Sequence, residues 1–192
     1  MSLALELSNP RVPIAAASHA SLLARLRARQ KAALEELALQ FSQPLTRAAY
    51  VYLGDSDAAQ DAAQDTLLAA WDGASRTSDE TRLRPWLFGV LFNCCRKQLR
   101  SLARRRKREQ RASRSEAQGA AAGIPDGDEH ARLQIALAAL PEDSRQVVVL
   151  RFEQQFSVEE TAHALGIPQG TVKSRLHAAL ERLRAMLEPP HA

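Results

Sequence analysis

Three carboxylates, Asp57, Asp61 and Asp65, recur four residues apart, with Gln64 just before the last and Leu68 three residues beyond it. On an α-helix this spacing stacks the acids along one face. Like charges so placed each destabilise an isolated helix by about 0.2–0.5 kcal/mol, so the face suits an incoming basic partner better than open water. A divalent cation or an acid–base pair is the other chemistry such acids can do, but no Gly-rich loop, nucleophile–base pair or HExxH pattern accompanies them. A solvated face whose acids complement the dipole at a helix N-terminus is the plain alternative.

The opposite charge gathers downstream. Arg96, Lys97, Arg100, Arg104, Arg105, Arg106, Lys107, Arg108, Arg111 and Arg114 stand against Glu109 alone between residues 96 and 114. Such a stretch fits a polyanion, with a solvated tail or localisation tract as its alternative. A third segment, "SVEETAHALGIPQGTVKSRL", holds a capping box from Ser157 to Glu160, a glycine turn at Gly166 and Pro168 at the start of a second helix. This is the pattern of a helix-turn-helix, with Leu165, Ile167, Val172 and Leu176 locking the pair. It leaves Gln169, Thr171, Lys173, Ser174 and His177 for a major groove and Arg175 for phosphate. A helical hairpin with a basic face is the competing reading. His163 and His177 lie on different helices without further ligands, so no metal site is expected.

The elements that carry these groups are all expected to be helices. Aromatics make only 5% of the chain, while Ala, Leu, Arg and Gln abound, which favours an all-α fold. Residues 1–29 form an N-terminal extension. Helix-period apolar residues run from Leu22 to Phe41, Pro44 opens a second short helix ending at Gly54, and Ser56 or Asp57 caps the acidic helix. A polar loop spans residues 72–84. Pro85 then begins a helix whose apolar first half, including Trp86, Phe88 and Phe92, is core and whose second half is basic. Residues 112–130 are rich in Ala, Gly, Ser and charge without periodicity and read as a linker. Two small helical domains, 30–111 and 131–188, follow from this division, the second a four-helix unit with the helix-turn-helix. In its last helix Val172, Leu176, Leu180, Leu183 and Leu187 recur at helical spacing.

Cys94 and Cys95 are adjacent, so their side chains diverge and serve neither one metal nor one disulfide; they read as reduced thiols. The N-terminus lacks a basic n-region and no run of about 18 apolar residues exists. A cytoplasmic protein without membrane insertion, cofactor or metal is expected.

In this order the segments resemble bacterial RNA polymerase sigma factors of the sigma-70 superfamily, in the extracytoplasmic-function (ECF) group, over roughly residues 30–108 and 131–187. "DAAQDAAQDTLLAAW" resembles the family's acidic helix that docks on core RNA polymerase, which implies that role for Asp57, Asp61, Gln64, Asp65 and Leu68. "RPWLFGVLFNCCRKQLR" resembles the segment that melts and reads the minus-ten promoter element, implying DNA contacts by Asn93, Arg96, Lys97, Arg100 and Arg104. The loop before it, in the family, holds a base flipped from the non-template strand, which points to Arg76, Thr77 and Ser78. "GIPQGTVKSRL" resembles the minus-thirty-five reader and assigns it Gln169, Thr171, Lys173, Ser174, Arg175 and His177.

The resemblance implies a promoter-specificity subunit that catalyses no bond change, is monomeric when free, and partners core RNA polymerase, promoter DNA and, as is common in the group, an anti-sigma factor. A stand-alone helix-turn-helix regulator binding operators as a dimer is the rival, although no heptad seam supplies its interface. The linker, fully extended, spans about 65 Å. Seventeen to eighteen base pairs between two promoter elements measure about 60 Å. One chain can touch both elements only with its linker nearly stretched.

Overall fold

The computed structural model describes residues 16–78, 82–113 and 129–187, and every regular element among them is helical. Helix α1 covers Ala16–Arg27 and α2 covers Lys31–Leu53. The break expected at Pro44 is not there: α2 runs through it, and the chain turns earlier, at residues 28–30. Proline in a helix interior costs about 3 kcal/mol. Leu37, Phe41, Leu45, Ala48 and Ala49 form a buried stripe on both sides of it, and each large apolar side chain buried contributes about 1.5–3 kcal/mol, so burial wins. The earlier turn has Arg29 N–H bonded to the Leu26 carbonyl and Gln30 N–H to the Arg25 carbonyl, at 3.0 and 3.1 Å. That is a Schellman close with Arg29 at φ 57 in the left-handed position usually given to glycine.

Gly54, at φ 70, ends α2 as expected, and α3 covers Ser56–Gly73. Its cap is Asp55, one residue before the expected Ser56 or Asp57; its Oδ1 accepts from Ala58 N–H at 2.9 Å. Ala58, Ala59, Ala62, Ala63, Thr66 and Ala70 are buried, and small side chains let α2 and α3 approach closely. The 3-10 turn Ala74–Arg76 follows. Helix α4, Leu83–Ser113, starts two residues before Pro85, which is tolerated in a first turn. It buries Leu83, Leu87, Phe88, Leu91, Phe92, Cys94 and Cys95. The linker core at 114–128 and the side chains of residues 105–113, with Arg105 to Arg108 and Arg111, lie outside the described residues, as does Arg114.

The second unit comprises α5 (Glu129–Ala139), α6 (Glu142–Val148), α7 (Val158–Leu165) and α8 (Gln169–Leu187). A π-helical turn over Val149–Glu153, which the sequence pattern does not foretell, extends α6. In α8 the inward residues are Val172, Ala179 and Leu183; Leu180 faces solvent, because its period drifts off the contact stripe.

The two units share one core. Val149, Leu150 and Phe156 of the second join the apolar cluster built by α1–α4. Phe88 and Phe156 meet edge to face at 5.2 Å, and the Arg84 guanidinium lies 4.2 Å from the Phe156 ring while donating to the Gln154 carbonyl at 2.6 Å. Arg145 is buried and donates to the carbonyls of Tyr52, Ala138 and Leu140 at 3.0, 2.7 and 3.0 Å. Burial pulls its pKa down, and the carbonyls with the Tyr52 ring face, 5.3 Å away, supply the charge with partners. Ion pairs Arg47–Glu153 (3.0 Å) and Arg82–Glu159 (2.7 Å) rim the seam.

Candidate nucleic-acid interface

Because α3 turns its alanines inward, its opposite side carries the acids to solvent. Asp57, Asp61, Gln64, Asp65 and Leu68 are all exposed, and Leu68 keeps 59% of its surface in water. No ion pair among the described residues reaches Asp57, Asp61 or Asp65. The result is an unneutralised acidic stripe ending in an apolar residue. It holds no cluster of potential metal ligands, and the described residues contain none elsewhere.

Helix α4 separates its two chemistries by face. Inward residues anchor it, while Asn93, Arg96, Lys97, Arg100 and Arg104 are exposed along the other side. Arg96 Nη1 donates to Asn93 Oδ1 at 3.2 Å, which ties the first two of these together. Ahead of α4, Arg76 and Ser78 are exposed and Thr77 is half-buried. The Thr77 hydroxyl donates to the Ala74 carbonyl at 2.7 Å.

In the helix-turn-helix, Ser157 Oγ accepts from Glu160 N–H at 3.0 Å and Glu160 accepts from Ser157 N–H at 2.8 Å, so the expected capping box is present. Gly166, at φ 64, makes the turn. Val147, Ala162 and Val172 pack with Leu165, Ile167 and Leu176, the locking set read from spacing plus Ala162 of α7 and Val147 of α6. Gln169, Lys173, Ser174 and His177 are exposed at the start of α8 and Thr171 is half-buried. Arg175 differs from expectation in having an internal partner, Asp143, at 2.8 Å. A phosphate must compete for it.

The three regions are not independent. Asn93 and Arg96 of α4 line a cleft of about 580 Å³ together with His163, Ala164 and Gly166 of the helix-turn-helix. Gly89 allows this closeness: a Cβ there would stand 2.5 Å from the Ala164 carbonyl oxygen, with backbone on the far side of the clash. Sequence reasoning misses Gly89, since a glycine inside a helix gives no hint of what approaches it, and also misses Arg145 and Arg84, whose partners are distant backbone carbonyls.

Residues 37–106 match the family model "Sigma-70 region 2" and residues 136–185 match "Sigma-70, region 4". The chain is 32% identical over 170 residues to the ECF RNA polymerase sigma factor SigM of Mycobacterium tuberculosis, covering 88% of this chain and 85% of that one. It is 35% identical over 183 residues to SigL of the same organism, covering 93% and 96%. Among solved structures it is similar to CnrH in complex with the cytosolic domain of CnrY, with a TM-score of 0.67 at 27% identity over 88% of this chain and 96% of that one.

Proposed function

The chain belongs to the ECF group of the sigma-70 family and is a promoter-specificity subunit of RNA polymerase, and on that premise we propose how its surfaces divide the work. The acidic stripe of α3 docks on a basic surface of core polymerase, with Asp57, Asp61 and Asp65 supplying charge, Gln64 a hydrogen bond and Leu68 an apolar seat. The unneutralised state of that stripe carries this assignment.

Asn93, Arg96, Lys97, Arg100 and Arg104 follow the separated minus-ten strands, and the loop with Arg76, Thr77 and Ser78 holds an extruded base. Extrusion exposes a base edge that the duplex hides, and a site that holds it favours the open strand. At the upstream element, Gln169, Thr171, Lys173, Ser174 and His177 reach base edges while Arg175 leaves Asp143 for phosphate. The chain binds and positions and transfers no group itself; bond formation belongs to core polymerase. It acts in the cytoplasm. Family models for both regions in one chain leave the dimeric regulator without support.

The packed arrangement of the two units fits the free chain or one bound to an anti-sigma partner, and the similar CnrH was solved in complex with the cytosolic domain of CnrY. With α7 against α4 the readers cannot reach elements about 60 Å apart, so DNA engagement on polymerase requires the seam to open. Run-off transcription tests the whole reading: core polymerase with this protein should initiate at a discrete site on a linear promoter fragment where core alone does not. Identical transcripts with and without the protein would refute it.

A further inference from the structure

The turn after α3 is held by a residue far upstream. Arg27, the last residue of α1, donates from Nε to Thr77 Oγ1 at 2.9 Å and from Nη2 to the Ser78 carbonyl. Thr77 sends its own hydroxyl hydrogen to the Ala74 carbonyl, and its backbone N–H goes to the same carbonyl at 3.1 Å. A hydroxyl has one hydrogen to give. The Thr77 hydroxyl therefore has its donor committed to the loop and a lone pair committed to Arg27, which fixes its direction.

The same hairpin grips the loop's root. Arg29 Nη1 lies 3.4 Å from Asp72 Oδ1 and its guanidinium 5.2 Å from the Trp71 ring centroid. It does so from a left-handed backbone at φ 57, a conformation that favours glycine, so the side chain sits there against a backbone preference. Leu22, Leu23 and Leu26 are buried and anchor α1 beneath this grip. Arg27, Arg29 and the three leucines all lie upstream of residues 37–106, the part matched by the region 2 model.

We propose that Arg27 is a positioning residue for base recognition: it holds Thr77 and Ser78 so that the loop presents Arg76 and the Ser78 side chain to the extruded base in one geometry. This rests on the reading of that loop as the base-holding element. Thr77 then serves the loop's shape rather than the base. A loop already ordered before binding discriminates better than one that must be ordered by each base in turn.

The test is run-off transcription by the full chain with core polymerase on promoters carrying each base at each minus-ten position. Arg27→Gln should lower base discrimination about three- to tenfold at the position where Arg76→Ala also alters preference. Minus-thirty-five preference and core co-elution should stay at wild-type values. Arg27→Lys, which keeps the charge but loses the planar fork that reaches both acceptors, should be intermediate. If Arg76→Ala shifts preference while Arg27→Gln leaves discrimination intact, Arg27 does not position the loop, though the loop still reads. A uniform loss on every promoter with a shallower salt dependence would make Arg27 a phosphate contact and overturn the proposal. If neither substitution changes base preference, the loop reading itself fails and the proposal with it.

Discussion

Thiol reactivity follows the thiolate fraction, and α4 keeps that fraction low at both of its cysteines. Burial raises the pKa of Cys94 and pushes Cys95 up to about 12. Neither should react with a maleimide at pH 7.5 until the protein unfolds, and rapid labelling of the native chain would contradict their burial. A raised thiol pKa also sets a sign: above the usual thiol range the unfolded chain loses a proton that the folded chain keeps, so stability falls as pH rises from about 9 toward 12. His19 works in reverse. Burial, then the charge of Arg84, lowers its pKa below 6.5, so its contribution is present above pH 6.5 and is lost as pH falls through its folded-state value. Denaturant midpoints measured across pH should therefore decline at both ends. At the DNA surface, Lys173→Ala should weaken preference for particular upstream bases by about 1–3 kcal/mol if it contacts a base edge. A sequence-independent loss with a reduced salt slope would move it to the phosphates. Exposure of Lys173, Ser174 and Arg96 was legible from helical period, while Asn93 was singled out only by the resemblance of its segment. The Arg175–Asp143 pair and the Arg27 bonds were not, because both link positions far apart in sequence.

Helix ends were legible where a side chain makes them. Gly54, Gly166 and the Ser157–Glu160 box carry their signal in residue type, and each stands where spacing put it. The turn between α1 and α2 carries none, since Arg29 fills a glycine position, and Pro44 gives a false one because the stripe around it is buried. Removing the capping hydroxyl with Ser157→Ala should cost about 1 kcal/mol, read as a drop in denaturant midpoint at unchanged m-value. An unaltered midpoint would show that tertiary packing alone holds the start of α7. The α3 cap was off by one residue for a simple reason. Asp55, Ser56 and Asp57 are all good caps, and only the structure shows which backbone turns extended.

Composition and motif order made the two-unit, all-helical plan legible, but not its shared core. Val149, Leu150 and Phe156 belong to the second unit by their place in the chain, and nothing in the sequence around them says that they pack on the first. Gly89 controls that packing. Gly89→Ala should favour helix α4 by about 1 kcal/mol in isolation yet push on the Ala164 carbonyl. It should open the seam, enlarging the radius of gyration in small-angle scattering and tightening binding of the free chain to promoter DNA; an unchanged radius would mean that the seam absorbs the methyl group. The acidic stripe of α3 is a different surface, and size-exclusion co-elution with core RNA polymerase lacking any other specificity subunit tests its docking role. The wild-type chain should co-elute stoichiometrically at moderate salt, and the Asp61→Lys, Asp65→Lys double variant, folded by circular dichroism, should elute alone. Co-elution of the double variant at wild-type level would take the docking role away from the stripe, and failure of the wild-type chain to bind would refute polymerase docking altogether.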